Sequence, residues 1–474
     1  MLGKVDANAI FLEEIHRFEN GPLTVDNSLR WDFPRMFNEI KLGVKKAIHS
    51  SDKPISSIGV DSWGVDFGLL DIHGNLVENP FHYRDSRTET MIEIAFALMD
   101  RRTIYENSGT QFMPLNTIYQ LLAAKNAKSD SLQNAKHLVF FADLVSYHLC
   151  GEVFSEYTLA STSQLLDMHT GQWSKAIFEK LQLPIDLMPR IVAPGTVVGK
   201  LTDSLCAELS CDPIEVIAVG SHDTANAVAA VPCQNTNWAF LSSGTWSLMG
   251  LEVPKAIIND QSYRHDLTNE GGVDDTIRLL KNVMGLWLVQ ECRQQWKREG
   301  KDLSHGELVS LAQKAQPFVA RINPDDLSFL APGDMPKRIN TFLIQSGQSP
   351  LSDIGQITRA ILESLAMAYR LTMEKLEKVT GRKIDVLHVV SGGIQNELLC
   401  QLGANAIGRK IIAGPAEATA MGNILMQAKA NSQIKSLADG RALVRQSIES
   451  KEYDPCDTDL WNAEYLKSKQ LLNL

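Results

Sequence analysis

The chain has 474 residues, of which 44% are hydrophobic and 22% charged, and this composition is that of an ordinary globular protein rather than a disordered one. Its formal net charge of -10 disfavours a nucleic acid or an anionic membrane as the main partner. A chain of this length exceeds one ordinary hydrophobic core, so two or more domains are expected.

The cysteine pattern and the start of the chain predict a cytoplasmic location. The seven cysteines are scattered and include no Cys-x-x-Cys pair, which is typical of reduced thiols in a cytosolic protein. The first residues have neither the charged nor the apolar region of a signal peptide, and no apolar run is long enough to span a bilayer. We therefore expect a cytoplasmic protein without a membrane partner. Separately, we expect a monomer or a small homo-oligomer.

The first third of the chain alternates between strand and helix patterns. Apolar residues predict a strand within 9–18, an amphipathic helix over 32–49 and a long apolar strand over 55–70. Residues 71–75 have the composition of a turn, so Leu76-Val77 is expected to return as a hairpin partner. The segment 157–166 is rich in Ser and Thr, and it is either a solvated connection or a loop or short helix that lines a cleft.

A strand, a tight turn and a helix follow at 216–230. The β-branched run ends at Gly220, and a helical pattern rich in Ala and Val begins after Asp223. This turn places His222 and Asp223 at the exposed end of a strand, where a carboxylate is suited to act as a general base. Alternatively, Ser221 or Asp223 only caps the helix N-terminus. These residues alone do not decide between the two.

The second half of the chain predicts two turns that suit a phosphate or a flat ligand. Residues 231–237 break the preceding helix and predict a boundary between domains 1–231 and 232–474. Ser242-Ser243-Gly244-Thr245 joins two strand-like runs, and it is either a phosphate-binding turn or a plain hairpin turn. Ser391-Gly392-Gly393 joins a predicted strand at 385–390 to a helix, and a further helix with small residues covers 414–428.

The most specific of these motifs resemble the FGGY carbohydrate kinases, which are two-domain members of the actin-like ATPase superfamily. The resemblance runs from about Ile10 to the end of the chain. It implies an α/β fold with two ribonuclease-H-like domains and a cleft between them in which sugar and ATP meet. The segments that carry it are 61–67 (DSWGVDF), 83–87 (YRDSR), 220–224 (GSHDT), 242–250 (SSGTWSLMG), 268–272 (TNEGG), 281–287 (KNVMGLW) and 414–418 (GPAEA).

The resemblance also implies a role for particular residues. Asp223 would accept the proton of the attacking sugar hydroxyl, which fits a phosphoryl transfer that depends on positioning, Mg²⁺ and amide donors. The implied cofactors are ATP and Mg²⁺, with no protein ligand assigned to the metal. The implied sugar contacts are Gly64, His222, Asp223, Thr224 and Asn282, and the implied nucleotide contacts are Thr245, Gln290 and Gly392.

Within the family, the 63–66 and 221–224 segments are most similar to the kinases that phosphorylate L-rhamnulose at its 1-hydroxyl in L-rhamnose degradation. The implied alternatives are a family member that acts on L-fuculose, xylulose or glycerol. A sugar-binding protein with impaired catalysis is a further alternative, because one family motif is absent.

The absent motif is the opening strand and turn of the family, Asp-x-Gly-x-Ser-Ser-Gly-Arg, which cradles the β- and γ-phosphates. Nothing like it precedes Ile10. The first strand of the N-terminal domain is therefore expected to be missing from the middle of its sheet, which would leave backbone groups beside the strand at 58–65 without partners. Because buried unpaired groups cost about 1–3 kcal/mol each, we expect the chain as written to be poorly soluble or inactive.

Overall fold

A computed structural model describes residues 1–234 and 236–473, and contacts divide the chain into two compact units. Unit 1 consists of Met1–Ala230, Glu252–Leu279 and Ala418–Ser447, whereas unit 2 consists of Val231–Leu251, Leu280–Glu417 and Ile448–Leu474. The predicted domains 1–231 and 232–474 stay a prediction, and their boundary segment contains Asn235, which lies outside the described residues.

Strands and helices alternate along most of the described chain. The strands are β1 Leu2–Val5, β2 Ile10–Glu13, β3 Pro22–Val25, β4 Ser28–Trp31, β5 Ser57–Gly59, β6 Phe67–Leu70, β7 His137–Phe140, β8 Ser155–Glu156, β9 Leu166–Asp167, β10 Gln172–Trp173, β11 Ile191–Val192, β12 Thr196–Lys200, β13 Glu215–Ala218, β14 Trp238–Ser243, β15 Trp246–Val253, β16 Thr268–Gly271, β17 Ile277–Met284, β18 Val386–Val390, β19 Lys410–Ala413 and β20 Lys451–Tyr453.

The helices are α1 Phe33–Ser50, α2 Met91–Leu98, α3 Arg101–Ser108, α4 Thr117–Asn126, α5 Asp130–Gln133, α6 Phe141–Cys150, α7 Tyr157–Ala160, α8 Lys175–Leu181, α9 Asp203–Leu209, α10 Asp223–Ala229, α11 Asp260–Arg264, α12 Trp287–Arg298, α13 His305–Lys314, α14 Met335–Gln345, α15 Ile354–Thr380, α16 Glu397–Ile407, α17 Ala418–Ala430, α18 Leu437–Ser447 and α19 Thr458–Leu472. No helix in the described part of the chain has the length and apolar character needed to cross a membrane.

The predicted helix at 32–49 is confirmed as α1. Asp32 caps it, because its carboxylate accepts a hydrogen bond from the Arg35 N–H at 3.2 Å. The proline at its second residue needs no hydrogen-bond donor there, so it favours this start. Phe33 and Met36 turn the apolar face of the helix into the core of unit 1.

The predicted strand at 55–70 is wrong in its middle, where the chain forms two strands, β5 and β6, separated by an irregular loop. Val65 in this loop has a φ of 68°, which interrupts any continuous strand. The buried Asp66 carboxylate holds the loop, since it accepts hydrogen bonds from Trp31 Nε1 at 2.7 Å, Trp63 Nε1 at 2.9 Å and Gln120 Nε2 at 3.0 Å. The hydrogen bonds of Asp66 therefore stabilise a loop where the apolar sequence pattern predicts a strand.

The Ser- and Thr-rich segment at 157–166 is not a solvated connection. It forms α7 and a turn of 3-10 helix at Ser161–Ser163, and the side chains of this turn are buried. Each hydroxyl of Ser161, Thr162 and Ser163 donates to the carbonyl three residues earlier, at 2.6–2.8 Å. These local hydrogen bonds allow polar side chains to be buried at low cost.

The sheet of unit 1 contains β12, β13 and β5, with β13 antiparallel to β12 and parallel to β5. On the other side of β5, Asn423 on α17 donates through Nδ2 to the Gly59 carbonyl at 3.1 Å. The amide of Gln427, one turn further along α17, lies 3.1 Å from Ser57 O and 3.3 Å from Gly59 N. The expectation that the edge of the strand at 58–65 lacks partners is therefore wrong for Gly59. β1 and β2 form a separate antiparallel pair.

In unit 2, β15, β14, β18, β19 and β20 lie side by side in that order. The predicted hairpin is confirmed, because β14 and β15 are antiparallel and Ser243 pairs with Ser247. β14 and β18 are parallel, with Ser242 opposite Val390. The turns that follow these two strands, 242–245 and 391–393, therefore lie at the same edge of the sheet.

Close packing of α10 on α17 depends on Gly422. A Cβ atom at this position would lie 1.8 Å from the Asn226 carbonyl oxygen, which belongs to the backbone of α10. A backbone atom cannot rotate away from such a contact, so only glycine lets the two helices approach this closely.

We expect Gly422→Ala to lower the free energy of unfolding by about 3 kcal/mol, the upper end of the usual cost of overpacking a core, measured by urea denaturation. Gly43→Ala is the matched control, because Gly43 is also inside a helix of unit 1 and its Cβ would meet the nearest atom at an ordinary 3.4 Å. Equal effects of the two substitutions would contradict the close-packing argument.

Candidate active site

The turn Gly220–Asp223, between β13 and α10, is held at each of its four backbone N–H groups. Gly220 N donates to Asn226 Oδ1 at 3.1 Å, Ser221 N to Glu156 Oε2 at 3.0 Å and His222 N to Thr158 Oγ1 at 3.2 Å. Asp223 N donates to the Ser62 carbonyl at 2.9 Å. Side chains or backbone from three other segments of unit 1 therefore fix this turn, which makes it a rigid platform for a functional group.

A buried carboxylate pair supports the turn from the side of α7. Glu156 accepts hydrogen bonds from Thr158 N, Leu159 N and Thr158 Oγ1 at 2.6–3.1 Å, in addition to Ser221 N. Burial raises the pKa of Glu156 to about 7, although these donors act to lower it. The pKa of the neighbouring Asp143 is raised well above its usual range by burial and then by the charge of Glu156.

Another carboxylate, the half-buried Asp61, lies where the chain leaves β5. Its Oδ2 accepts hydrogen bonds from Asn423 Nδ2 at 2.6 Å and Asn226 Nδ2 at 3.1 Å. Burial raises the pKa of Asp61 to about 7; the charge of Asp223 also raises it, and the two amide hydrogen bonds oppose the shift. Asn226 thus connects Asp61 to the Gly220 end of the turn.

The Asp223 side chain is the exposed carboxylate of this region, with 43% of its surface accessible. Its Oδ1 accepts a hydrogen bond from Thr224 Oγ1 at 3.0 Å. The capping alternative is wrong for Asp223, because it is the first residue of α10 and the capping position belongs to His222, whose side chain makes no capping hydrogen bond. An accessible carboxylate on a fixed turn can act as a proton acceptor.

His222 is buried behind Asp223 and faces three charged groups of unit 1. Its Nε2 lies 3.5 Å from Asp223 Oδ1, and its Nδ1 lies 3.3 Å from Glu270 Oε2. Arg278 Nη2 lies 3.1 Å from the same Nδ1 and 3.2 Å from Glu270 Oε2. The imidazole ring therefore connects a buried ion pair to the exposed carboxylate.

Gly64 lies in the loop between β5 and β6, and its closest neighbour is Thr162. A Cβ atom at Gly64 would lie 3.0 Å from Thr162 Oγ1 and 3.2 Å from Thr162 Cβ. The protein itself therefore crowds this position, and Thr162 Oγ1 is held there because it also accepts a hydrogen bond from Val65 N at 3.1 Å. A contact between Gly64 and a sugar stays a prediction.

Two of the predicted nucleotide residues come together in unit 2. Thr245 Oγ1, in the turn between β14 and β15, donates to Gln290 Oε1 on α12 at 3.3 Å. The start of α12 is attached to the same turn, because Leu286 N and Trp287 N donate to the Gly244 and Thr245 carbonyls at 2.9 and 3.2 Å. The hydroxyl and amide groups gathered here suit a phosphate or a nucleotide.

The third predicted nucleotide residue, Gly392, lies in the turn after β18. A Cβ added to Gly392 would meet no atom within 4 Å, whereas one added to Gly393 would lie 2.1 Å from Ser243 Oγ. The preceding Ser391 has a φ of 72°, and its hydroxyl lies 3.2 Å from that of Ser242. Gly393 therefore allows the two turns to pack, while Gly392 presents accessible backbone.

The structure places the remaining predicted residue, Asn282, on β17 in unit 2, whereas Gly64, His222, Asp223 and Thr224 belong to unit 1. Sequence reasoning did not identify Glu156, Asp61, Glu270 or Arg278 as parts of this site. The only sequence signal for them was that Asp61 and Glu270 lie in the segments that resemble the FGGY kinases.

Family models match most of the chain. The N-terminal domain model of the FGGY family of carbohydrate kinases matches residues 20–230, and the C-terminal domain model matches residues 239–431. The chain belongs to the FGGY family of carbohydrate kinases. This family membership confirms the two-domain kinase fold, the enzyme class and the use of ATP that the resemblance implied.

Curated relatives agree over nearly the whole chain. A rhamnulokinase from Bacteroides thetaiotaomicron is 41% identical over 99% of this chain and 96% of its own length. A rhamnulokinase from Enterococcus faecalis is 37% identical over 96% of this chain and 91% of its own length. A rhamnulokinase from Bacillus subtilis is 35% identical over 97% of this chain and 93% of its own length.

Solved structures show the same fold at low sequence identity. A xylulose kinase from Lactobacillus acidophilus has a TM-score of 0.78 with 17% identity, covering 96% of this chain and 91% of that one. A glycerol kinase from Plasmodium falciparum with ADP has a TM-score of 0.75 with 16% identity, covering 98% of this chain and 96% of that one. At this identity the likeness concerns the fold alone.

Asp61→Asn should make unit 1 less sensitive to rising pH. The pKa of Asp61 in the folded state, about 7, lies above the value of about 3.9 in an unfolded chain. Between these two pKa values Asp61 loses its proton in the unfolded chain but keeps it in the folded protein. The free energy of unfolding of the wild type therefore falls as the pH rises from 4 to 7. We expect the unfolding free energy of the variant, relative to wild type, to rise by up to about 4 kcal/mol over this range.

Urea denaturation at half-unit pH steps measures this difference. Asp71→Asn is the control, because hydrogen bonds from Asn75 and His73 lower the pKa of Asp71, so its stabilising effect is complete above about pH 5 and its difference from wild type should then stay nearly constant. A difference between Asp61→Asn and wild type that does not change with pH would show that Asp61 ionises as easily in the folded protein as in the unfolded chain.

Proposed function

We propose that this chain transfers the γ-phosphate of ATP to the 1-hydroxyl of L-rhamnulose, giving L-rhamnulose 1-phosphate in the degradation of L-rhamnose. The observation that carries the proposal is the agreement with three rhamnulokinases at 35–41% identity over 96–99% of this chain. The alternative of a sugar-binding protein with impaired catalysis is not favoured, because these full-length relatives are named as kinases.

Asp223 is the proposed general base. Its carboxylate accepts the proton of the 1-hydroxyl while the oxygen of that hydroxyl forms a bond to the γ-phosphorus, and the bond from this phosphorus to the β–γ bridging oxygen breaks to release ADP. The exposed position of the carboxylate on a fixed turn supports this role, since proton transfer requires a base held within hydrogen-bond reach. Gly64, His222, Thr224 and Asn282 are proposed to bind the sugar.

Thr245, Gln290 and Gly392 are proposed to bind the nucleotide. The Thr245–Gln290 hydrogen bond and the accessible backbone at Gly392 support this assignment. Mg²⁺ is proposed to arrive with the ATP phosphates and to neutralise the developing charge. Such an ion needs only one or two carboxylates besides phosphate and water, and the described residues contain no cluster of three or more potential metal ligands.

A reducing compartment such as the cytoplasm is part of the proposal. None of the seven cysteines forms a disulfide, all of them being among the described residues. Whether the protein is a monomer or a small homo-oligomer stays a prediction.

Asp223→Asn should lower kcat with L-rhamnulose by roughly 10²–10⁴-fold, the usual effect of removing a general base, in a coupled assay of ADP release. The amide can still accept the Thr224 hydrogen bond, so the fold should persist. Asp203→Asn is the matched control, because Asp203 is likewise the first residue of a helix in unit 1. A variant of Asp223 that keeps most of its turnover would exclude it as the base.

The purified chain should release ADP fastest, as measured by kcat/KM, with L-rhamnulose when compared with L-fuculose, D-xylulose and glycerol. Phosphorus–proton coupling in the NMR spectrum of the product should place the phosphate on carbon 1. A higher kcat/KM for any other sugar would reassign the substrate. Turnover of L-rhamnulose would also contradict the expectation that the chain as written is inactive.

A further inference from the structure

Behind His222 lies a buried ion pair, Glu270 and Arg278, to which the proposed reaction gives no role. Arg278 has no accessible side-chain surface, and Glu270 has only 5%. Arg278 is held in place, because its Nε donates to the Gly271 carbonyl at 2.8 Å while its Nη2 lies 3.2 Å from Glu270 Oε2. Burying two charges is costly, and pairs of this kind often do not stabilise a fold more than apolar residues would.

The position of Arg278 decides which nitrogen of His222 carries the proton. A guanidinium group can donate hydrogen bonds but cannot accept them. Because Arg278 Nη2 lies 3.1 Å from His222 Nδ1, this contact is a hydrogen bond only if Nδ1 has a lone pair. Glu270 Oε2, at 3.3 Å, could accept a proton from Nδ1, but such a proton would place two N–H groups against each other across the shorter contact with Arg278. The neutral ring is therefore assigned its proton on Nε2.

The Nε2–H group then faces the proposed base. Nε2 lies 3.5 Å from Asp223 Oδ1, and the Thr224 hydroxyl already donates to the same oxygen at 3.0 Å. Catalytic hydrogen bonds are often long in the absence of substrate and shorten when it binds. Both donors lie at Oδ1, so Oδ2 is the oxygen left for a new proton.

We propose that Arg278, paired with Glu270, holds His222 as its Nε2–H tautomer, so that His222 and Thr224 together fix Oδ1 of Asp223 and leave Oδ2 to accept the proton of the attacking hydroxyl. Arg278 and Glu270 are thus positioning residues that act through His222. This inference rests on the proposed function of Asp223, but the tautomer itself is a property of the protein without substrate.

The first test is spectroscopic and uses the intact wild-type protein labelled with ¹⁵N-histidine. Long-range proton–nitrogen correlation distinguishes a protonated ring nitrogen from an unprotonated one, and the resonances missing from His222→Gln identify His222 among the eleven histidines. We expect an unprotonated Nδ1 and a protonated Nε2 in the neutral ring. A protonated Nδ1 would overturn the proposal, whatever the activity of the enzyme.

The second test compares two substitutions of His222 that differ in where they place an amide. Gln can place an N–H donor near the position of Nε2, whereas the shorter Asn places its amide near Nδ1. We expect His222→Asn to lower kcat with L-rhamnulose on the order of 10-fold more than His222→Gln, as for the loss of one hydrogen bond to a charged group. The KM for ATP should be the same in both. Equal losses of kcat would overturn the proposal.

Arg278→Lys tests the buried pair itself. Lysine keeps the positive charge but cannot reproduce the fork of donors that reaches both Gly271 and His222. We expect a larger Nδ1–H population in the nitrogen spectrum and a lower kcat, with thermal unfolding recorded as a check on the fold. An unchanged tautomer in a folded variant would remove Arg278 from the mechanism. Failure of the wild-type chain to phosphorylate L-rhamnulose would reject the proposed function and leave the tautomer result standing.

Discussion

The hydrogen bond from Ser221 N to the buried Glu156 carboxylate is the constraint on which the geometry of unit 1 depends most. One carboxylate accepts hydrogen bonds from the first turn of α7 and from the turn before α10. Charge-assisted hydrogen bonds of this kind are strong in a buried setting, and breaking one leaves a charge without compensation. The position of Asp223 therefore follows from residues more than sixty positions earlier in the chain.

Local patterns were enough to predict the elements on which this site is built. The strand–turn–helix at 216–230, the hairpin around 242–245 and the helix at 32–49 all depend on periodicity, glycine and capping residues, and all are present. The resemblance to a known family then predicted functional roles for His222 and Asp223. Asp223 could not be distinguished from a helix cap by sequence, because that distinction requires knowing which atom its carboxylate contacts.

Long-range polar contacts account for what the sequence did not predict. The strand predicted at 55–70 is divided because the Asp66 carboxylate accepts hydrogen bonds from the side chains of Trp31, Trp63 and Gln120. The edge of β5 finds partners in the side-chain amides of Asn423 and Gln427, which lie more than 360 residues away in sequence. Neither hydrophobic periodicity nor turn composition contains information on such contacts, since both describe a window of neighbouring residues.

The carboxylates of unit 1 have different roles because their environments differ. Asp143 and Glu156 are buried and Asp61 is half-buried, and loss of solvent raises the pKa of each, so they serve best as acceptors in fixed hydrogen-bond networks. Asp223 is adjacent to this buried group but has an accessible side chain, so its oxygens can meet a ligand. Rigid support and chemical access are conflicting demands on one residue. Here the backbone of the turn meets the first demand and the side chain of Asp223 meets the second.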